Sequence, residues 1–166
     1  MAQVESFPPI ESAIARVLVL GTMPGQASLR ARQYYAHPQN AFWRISGTLF
    51  GFDPASPYEV RIALMRAAGI AIWDVLKSCT RASSLDSAIV PSTEVPNDLP
   101  AFLAAHPQIG RICFNGAKAE ALYARHVRPR LVPAPDVRYL RLPSTSPANA
   151  SVPWPAKLSA WRAALL

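Results

Sequence analysis

Hydrophobic positions along the chain follow two periods. Val17, Leu18, Val19 and Leu20 are an unbroken apolar run closed by Gly21, the pattern of a strand buried on both faces. Residues 70–76 read as a second buried strand, though length alone does not exclude a helix there, and 111–114 and 137–142 as the third and fourth strands. Between them the period lengthens. Phe42, Ile45, Ser46 and Leu49 recur at helical spacing behind Asn40, which predicts a helix capped by that asparagine. Ser56, Pro57 and Glu59 have capping-box spacing with proline in the first turn, so a helix starts there and ends near Gly69. Asn97 or Asp98 caps a short helix through Leu99, Phe102 and Leu103 that stops before Pro107. Another helix follows Asn115-Gly116, from Ala117 to about His126. Trp154, Leu158, Trp161 and Leu165 mark one face of a terminal helix beginning at Pro155. Residues 1–15 read as a lead-in that packs late or loosely, 78–92 as a polar loop and 128–135 as a Pro/Arg connector.

Four strands alternating with helices predict an α/β fold: three layers, α/β/α, around a central four-stranded, mostly parallel sheet. One domain covering residues 1–166 is expected. Each strand is followed by a polar loop, at 21–25, 77–81, 115–116 and 143–149. Open α/β sheets bind ligands at the carboxyl ends of their strands, so these four loops should converge on one site.

Composition adds a partner. Lys plus Arg is 17 against 10 for Asp plus Glu, a formal net charge of +7. In a chain of 166 residues that excess favours an anionic partner, nucleic acid first, against the plainer reading of a bias toward arginine. Cys79 and Cys113 form no metal-ligand pair by spacing, and two cysteines are too few for a four-cysteine iron–sulfur site. No metal and no cofactor are expected. The N-terminus lacks the basic-then-apolar pattern of a signal peptide, and no apolar run approaches the ~20 residues of a membrane span. The expectation is a cytoplasmic monomer with no membrane contact.

The chemistry lies in the loops. In Gly21-Thr22-Met23-Pro24-Gly25 two glycines let backbone approach a ligand closely. The segment lacks the Lys-Ser/Thr ending of a phosphate loop and the GxGxxG of a dinucleotide site. By itself it is a tight turn after a strand. Tyr34, Tyr35, His37, Pro38 and Asn40 follow. An aromatic face stacks a base with ~1–3 kcal/mol, and an asparagine amide orients a water or reads a base edge. Tyr35 as a core residue and Asn40 as a helix cap are the plainer alternatives, and capping is compatible with a place in a site. His37 reads as a structural hydrogen bonder, since no carboxylate lies near it in sequence. The hydroxyl-rich segment Ser144-Thr145-Ser146-Pro147-Ala148-Asn149 suits a phosphodiester backbone, or is simply a proline-rich turn. Asp53, Asp74 and Asp86 are unpaired, and there is no GxSxG signature. Such residues fit a reaction needing positioning and charge stabilisation rather than a strong base.

The block Gly21-Thr22-Met23-Pro24-Gly25, with Tyr35-Ala36-His37-Pro38-Gln39-Asn40-Ala41-Phe42-Trp43, resembles the uracil-DNA glycosylase superfamily and, within it, the hypoxanthine-DNA (deoxyinosine) glycosylase family. The resemblance continues in order through Trp73-Asp74-Val75-Leu76-Lys77-Ser78-Cys79, Ser84-Leu85-Asp86-Ser87-Ala88-Ile89, Asn115-Gly116-Ala117-Lys118-Ala119 and Leu142-Pro143 up to Asn149. It implies the uracil-DNA glycosylase-like fold. It also implies a base excision repair enzyme that flips hypoxanthine out of double-stranded DNA and hydrolyses its N-glycosidic bond, leaving an abasic site without a lyase step. Asn40 matches the family's catalytic asparagine and Tyr35 its base-stacking aromatic. Gly21, Thr22, Met23, Pro24, Gly25, His37 and Asn115 would contact the substrate. Ser144, Thr145, Ser146, Pro147, Asn149 and Lys118 would contact DNA. Mismatch-specific uracil and thymine glycosylases carry a water-orienting Asn where this chain has Met23, and the Ser144–Asn149 loop lacks the His of the uracil-cleaving enzymes. Such a mismatch glycosylase is one alternative; a non-catalytic nucleic-acid-binding α/β module is another.

Overall fold

The computed structural model describes residues 2–166. The chain enters through a short strand, β1 (Gln3–Glu5), and passes through the main sheet as β2 (Val17–Gly21). Helices α1 (Gln26–Ala31), α2 (Phe42–Phe50) and α3 (Tyr58–Ala67) lead to β3 (Ile70–Asp74), which runs almost directly into β4 (Leu76–Thr80). After β5 (Val95–Pro96) come α4 (Leu99–Ala105), β6 (Arg111–Asn115), α5 (Ala117–His126), β7 (Arg138–Leu142) and α6 (Trp154–Leu165).

The predicted strands pair in the order β3-β2-β6-β7, and every pairing is parallel, with Val17 opposite both Ile70 and Arg111. The apolar run in β2 exists because both of its faces are covered. Leu18 and Leu20 join Ile112, Phe114, Phe102, Leu122 and Tyr123 on the α4–α5 side. Val17 and Val19 join Phe42, Ile45, Met65, Trp161 and Leu165 on the side of α2, α3 and α6. The expected α/β/α layering follows.

Three local expectations need correction. The lead-in expected over 1–15 is not loose in its described part, 2–15: β1 pairs antiparallel with β4, and Ile10, 4% exposed, bridges Ile72. The stretch 78–92 is not a polar loop throughout. Its first residues complete β4, the middle strand of an antiparallel sheet ordered β1-β4-β5. Its polar composition hid a strand with one exposed lysine among buried neighbours. The Ser56 capping box does not form either. Helix α3 begins after Pro57 without a side-chain cap, and the Ser56 carbonyl accepts from Arg61 Nε. Between the alternatives Asn97 and Asp98, Asp98 caps α4, its Oδ1 accepting from the Ala101 N–H at 3.1 Å.

Asn97 has another task, and it shapes the site. The apolar run 70–76 breaks at Val75, whose N–H donates to the Gly21 carbonyl while that of Leu76 donates to Thr22. Buried Asn97 Nδ2 donates to the carbonyls of Asp74 (2.8 Å) and Leu76 (3.1 Å) on either side of the break. The bend therefore keeps its hydrogen bonds, and Asp74 ends its strand at the carboxyl edge of the sheet. We expect Asn97→Ala to lose about 2–3 kcal/mol, since two buried carbonyls lose a donor. In a chain of this size thermal denaturation should show a melting point lower by about 5–10 °C.

Candidate active site

A cavity of about 860 Å³ opens at the carboxyl edge of the parallel sheet, and all four strand ends reach it, through Gly21, Asp74, Asn115 and Leu142. That volume lies in the range of small-molecule pockets. Three of the four converging loops are those expected. The exception is 77–81, most of which belongs to strand β4, and the segment that returns to the cavity there is Ser84 to Ser87. Gly21, Thr22, Met23, Pro24, Gly25, Tyr35, His37, Asn40, Asn115, Ser144, Thr145, Ser146, Pro147 and Asn149 all line the cavity. Lys118 does not; it stands half-buried in the first turn of α5.

The two tyrosines divide their work. Tyr34 is core: its hydroxyl donates to the Pro8 carbonyl at 2.9 Å, its N–H to the Tyr58 hydroxyl, and its carbonyl accepts from Trp43 Nε1. Tyr35 has a left-handed backbone, φ +56°, a conformation that costs a non-glycine residue about 1–2 kcal/mol. Its ring lies against Phe42 at 4.2 Å between centroids. Its hydroxyl has no hydrogen-bond partner among the described residues. Burial, then the Asp74 carboxyl, push the phenol above its ordinary value, with the Asn115 side chain opposing. Strain and an idle buried hydroxyl together are features of a site residue.

Asn40 sits at the half-buried edge of the cavity, and its Oδ1 accepts from the Phe42 N–H at 2.9 Å. The helix boundary residue is Ala41, so Asn40 braces the first turn from one position outside it. That bond fixes the side chain while leaving its NH₂ and the second lone pair of Oδ1 available. His37 is exposed, and its Nδ1 accepts from the Gln39 N–H at 3.1 Å, in keeping with a structural role.

The Ser144–Asn149 loop is braced from below. Asn115 Nδ2 donates to Thr145 Oγ1 and the Thr145 N–H donates back to Asn115 Oδ1, both at 2.9 Å. Thr145 is 1% exposed with its hydroxyl engaged, so it anchors the loop and does not present itself to a DNA backbone, contrary to expectation. The Asn115 amide gives one N–H and one lone pair to that clamp. Ser144 Oγ, Ser146 Oγ and the Ser144 carbonyl accept from the Ser146 N–H, the Ala148 N–H and Asn149 Nδ2, and the loop holds its own shape. Met23 is 7% exposed and packs with Leu20 and Leu76, leaving no water-orienting group at that position.

Sequence reading missed a pair of acids. Asp74, 3% exposed, and Asp86, from the segment after β4, both line the cavity. Burial, and secondarily the Asp86 carboxyl, push Asp74 up to about 7, with Arg81 opposing. Burial also raises Asp86, against Thr22, Arg81 and Lys118. Arg81 is itself buried, and its Nη2 donates to the Pro24 carbonyl at 2.6 Å, tethering the glycine-flanked turn. The signal available in the sequence was an aspartate closing an otherwise apolar strand.

Fold and site define a class: a three-layer α/β protein with a pocket at its strand ends, an aromatic wall and an asparagine at the edge. Residues 8–166 match the Uracil DNA glycosylase superfamily, and the chain belongs to that family. It is a DNA glycosylase. Curated relatives include proteins named Hypoxanthine DNA glycosylase from two archaea. The one from Methanosarcina barkeri is 34% identical over 69% of this chain and 72% of its own length. The one from Methanosarcina acetivorans is 36% identical over 68% and 71%. A solution NMR structure of a candidate uracil DNA glycosylase from M. acetivorans superposes with a TM-score of 0.82 at 31% identity, covering 99% of this chain and 97% of that one. No helix among the described residues is long and apolar enough to cross a membrane.

Proposed function

We propose that the protein excises hypoxanthine from deoxyinosine in double-stranded DNA, acting as a single-domain monomer and leaving an abasic site. The observation that carries this reading is Asn40, fixed by its bond to Phe42 at the cavity mouth, in a chain whose relatives bear the hypoxanthine name. A paired base does not expose C1′ to water, so the nucleotide is extruded at an unstacking cost of a few kcal/mol, lowest for a mispaired base. Tyr35, backed by Phe42, stacks the extruded base. The sugar stays at the mouth because the backbone holds it, and there Asn40 orients a water below C1′. The water oxygen bonds to C1′ as the C1′–N9 bond breaks. The base departs with the bonding electron pair, and the water's proton passes to solvent or to the base. Backbone N–H groups of the Gly21 to Gly25 turn, held by Arg81, stabilise the developing negative charge. Ser144, Ser146, Pro147 and Asn149 meet the DNA backbone, with Asn115 and Thr145 as their anchor. The core position of Met23 disfavours the mismatch uracil and thymine chemistry that relies on an asparagine there.

The test is a panel of duplexes carrying inosine, xanthine, uracil or a G·T mismatch, treated with alkali after incubation and scored for strand breaks. Breaks at inosine above all others are expected. Salt-sensitive DNA binding with no abasic product from any duplex would leave only the non-catalytic reading.

A further inference from the structure

We infer that Asp74 reads the edge of the extruded base as a neutral carboxylic acid, donating one hydrogen bond to the ring carbonyl and accepting one from the adjacent ring N–H. This specificity role rests on the glycosylase reading. Three observations on the site lead to it. Asp74 lines the cavity yet is 3% exposed, so it lies at the floor, where the base would end, and not at the mouth, where the sugar stays. Its Oδ2 is buried without a hydrogen-bond partner among the described residues, a costly condition for a group with no ligand to meet. The Tyr35 hydroxyl, also idle, is its neighbour: both crowd the point above Gly21 where a Cβ would stand, Asp74 Oδ1 at 2.5 Å and Tyr35 Oη at 3.2 Å.

Chemistry selects the protonation state. A carboxylic acid carries a donor and an acceptor side by side, which matches the N1–H and O6 of hypoxanthine as a two-bond ring. A carboxylate would set its charge against O6. It would also repel the negative charge that develops on the base as the C1′–N9 bond breaks, whereas the acid donates a hydrogen bond to it. The groups around Asp74 are Asp86 from the segment after β4, Arg81 at the end of β4, and Tyr34 and Tyr35 from the turn before α2. Lys118 on α5 acts on Asp86. Burial and Asp86 outweigh Arg81, so the acid form persists to about pH 7. Base reading should therefore be complete below that pH and lost as pH rises through it.

The experiment compares the wild type, Asp74→Asn and Asp74→Ala, from pH 5.5 to 9. It measures single-turnover release from an inosine duplex, and binding to duplexes carrying uncleavable 2′-fluoroarabino-inosine or a tetrahydrofuran abasic analogue. Wild-type release is expected to be flat in acid and to fall at least ~10-fold across the alkaline range, once the donor to the base is lost. Asp74→Ala should lose ~10²-fold in release and its preference for the inosine analogue over tetrahydrofuran. Asp74→Asn, whose amide also pairs a donor with an acceptor, should rescue most of that loss and abolish the alkaline fall. An Asp74→Asn variant as damaged as Asp74→Ala would overturn the inference in favour of a carboxylate base. So would an alkaline fall that survives in Asp74→Asn, or an Asp74→Ala variant with the parent rate and preference. If the wild type released no base, the glycosylase reading would fail by itself. The Asp74 assignment would then stand or fall on whether the preference for the inosine analogue disappears in Asp74→Ala.

Discussion

Asn40→Ala should fold and bind inosine duplexes like the parent protein, yet release hypoxanthine ~10³-fold more slowly in single-turnover assays, the scale of a lost water- or charge-positioning group. The variant gives up two things. One is the hydrogen bond from the Phe42 N–H to Oδ1, a first-turn brace whose loss costs about 1 kcal/mol of stability. The other is the amide that would hold water under C1′. A stability change of that size cannot slow chemistry a thousandfold in a protein that remains folded, so the rate loss would belong to the water. Calorimetry beside the rate assay separates the two contributions. Release at the parent rate would remove Asn40 from the catalytic role.

The second large effect is expected at Gly21, through contact and not through backbone freedom. A methyl group there would stand 2.5 Å from Asp74 Oδ1 and 3.2 Å from the Tyr35 hydroxyl, so one of the two must move. Both lie on the cavity wall, and Tyr35 is already held in a strained backbone. Gly21→Ala should cost about 1–3 kcal/mol in stability, as overpacking does. Release should fall ~10²-fold, because a displacement near 1 Å at a reacting geometry is enough for that. Affinity for a tetrahydrofuran duplex, which presents no base to the floor, should stay within a factor of about three, because the DNA contacts lie elsewhere. Equal losses for both duplexes would show that the floor is not where the base sits.

How far the site was legible in the sequence depended on how local its physics is. The β2 run and its closing glycine, the helical spacing behind Asn40 and the order of the motifs are short-range patterns, and the layered parallel sheet followed from them. Tyr35 and Asn40 were legible because both lie close to one strand end in a turn dense with aromatic and amide groups. Strand β4 was not, because its polar sequence becomes a strand only by pairing with residues 3–5 and 95–96. Asn97 looked like a candidate cap because its spacing suited one; its contact with the Asp74 and Leu76 carbonyls crosses twenty-odd residues of chain and has no local signature. The clamp between Asn115 and Thr145 was hidden in the same way, and it makes Thr145 an anchor of its loop.

The sequence by itself therefore determined the layered α/β fold, the edge of the sheet at which a cavity forms, and the turn that brings Tyr35 and Asn40 to its wall. Periodicity and turn chemistry are properties of neighbouring residues. Only the tertiary structure decided that Asp74 and Asp86 share the cavity, that Met23 packs with Leu20 and Leu76 while lining it, and that burial raises the Asp74 carboxyl to about 7. Desolvation and the field of a second charge depend on what the folded chain packs around a group, and no spacing along the chain states that in advance.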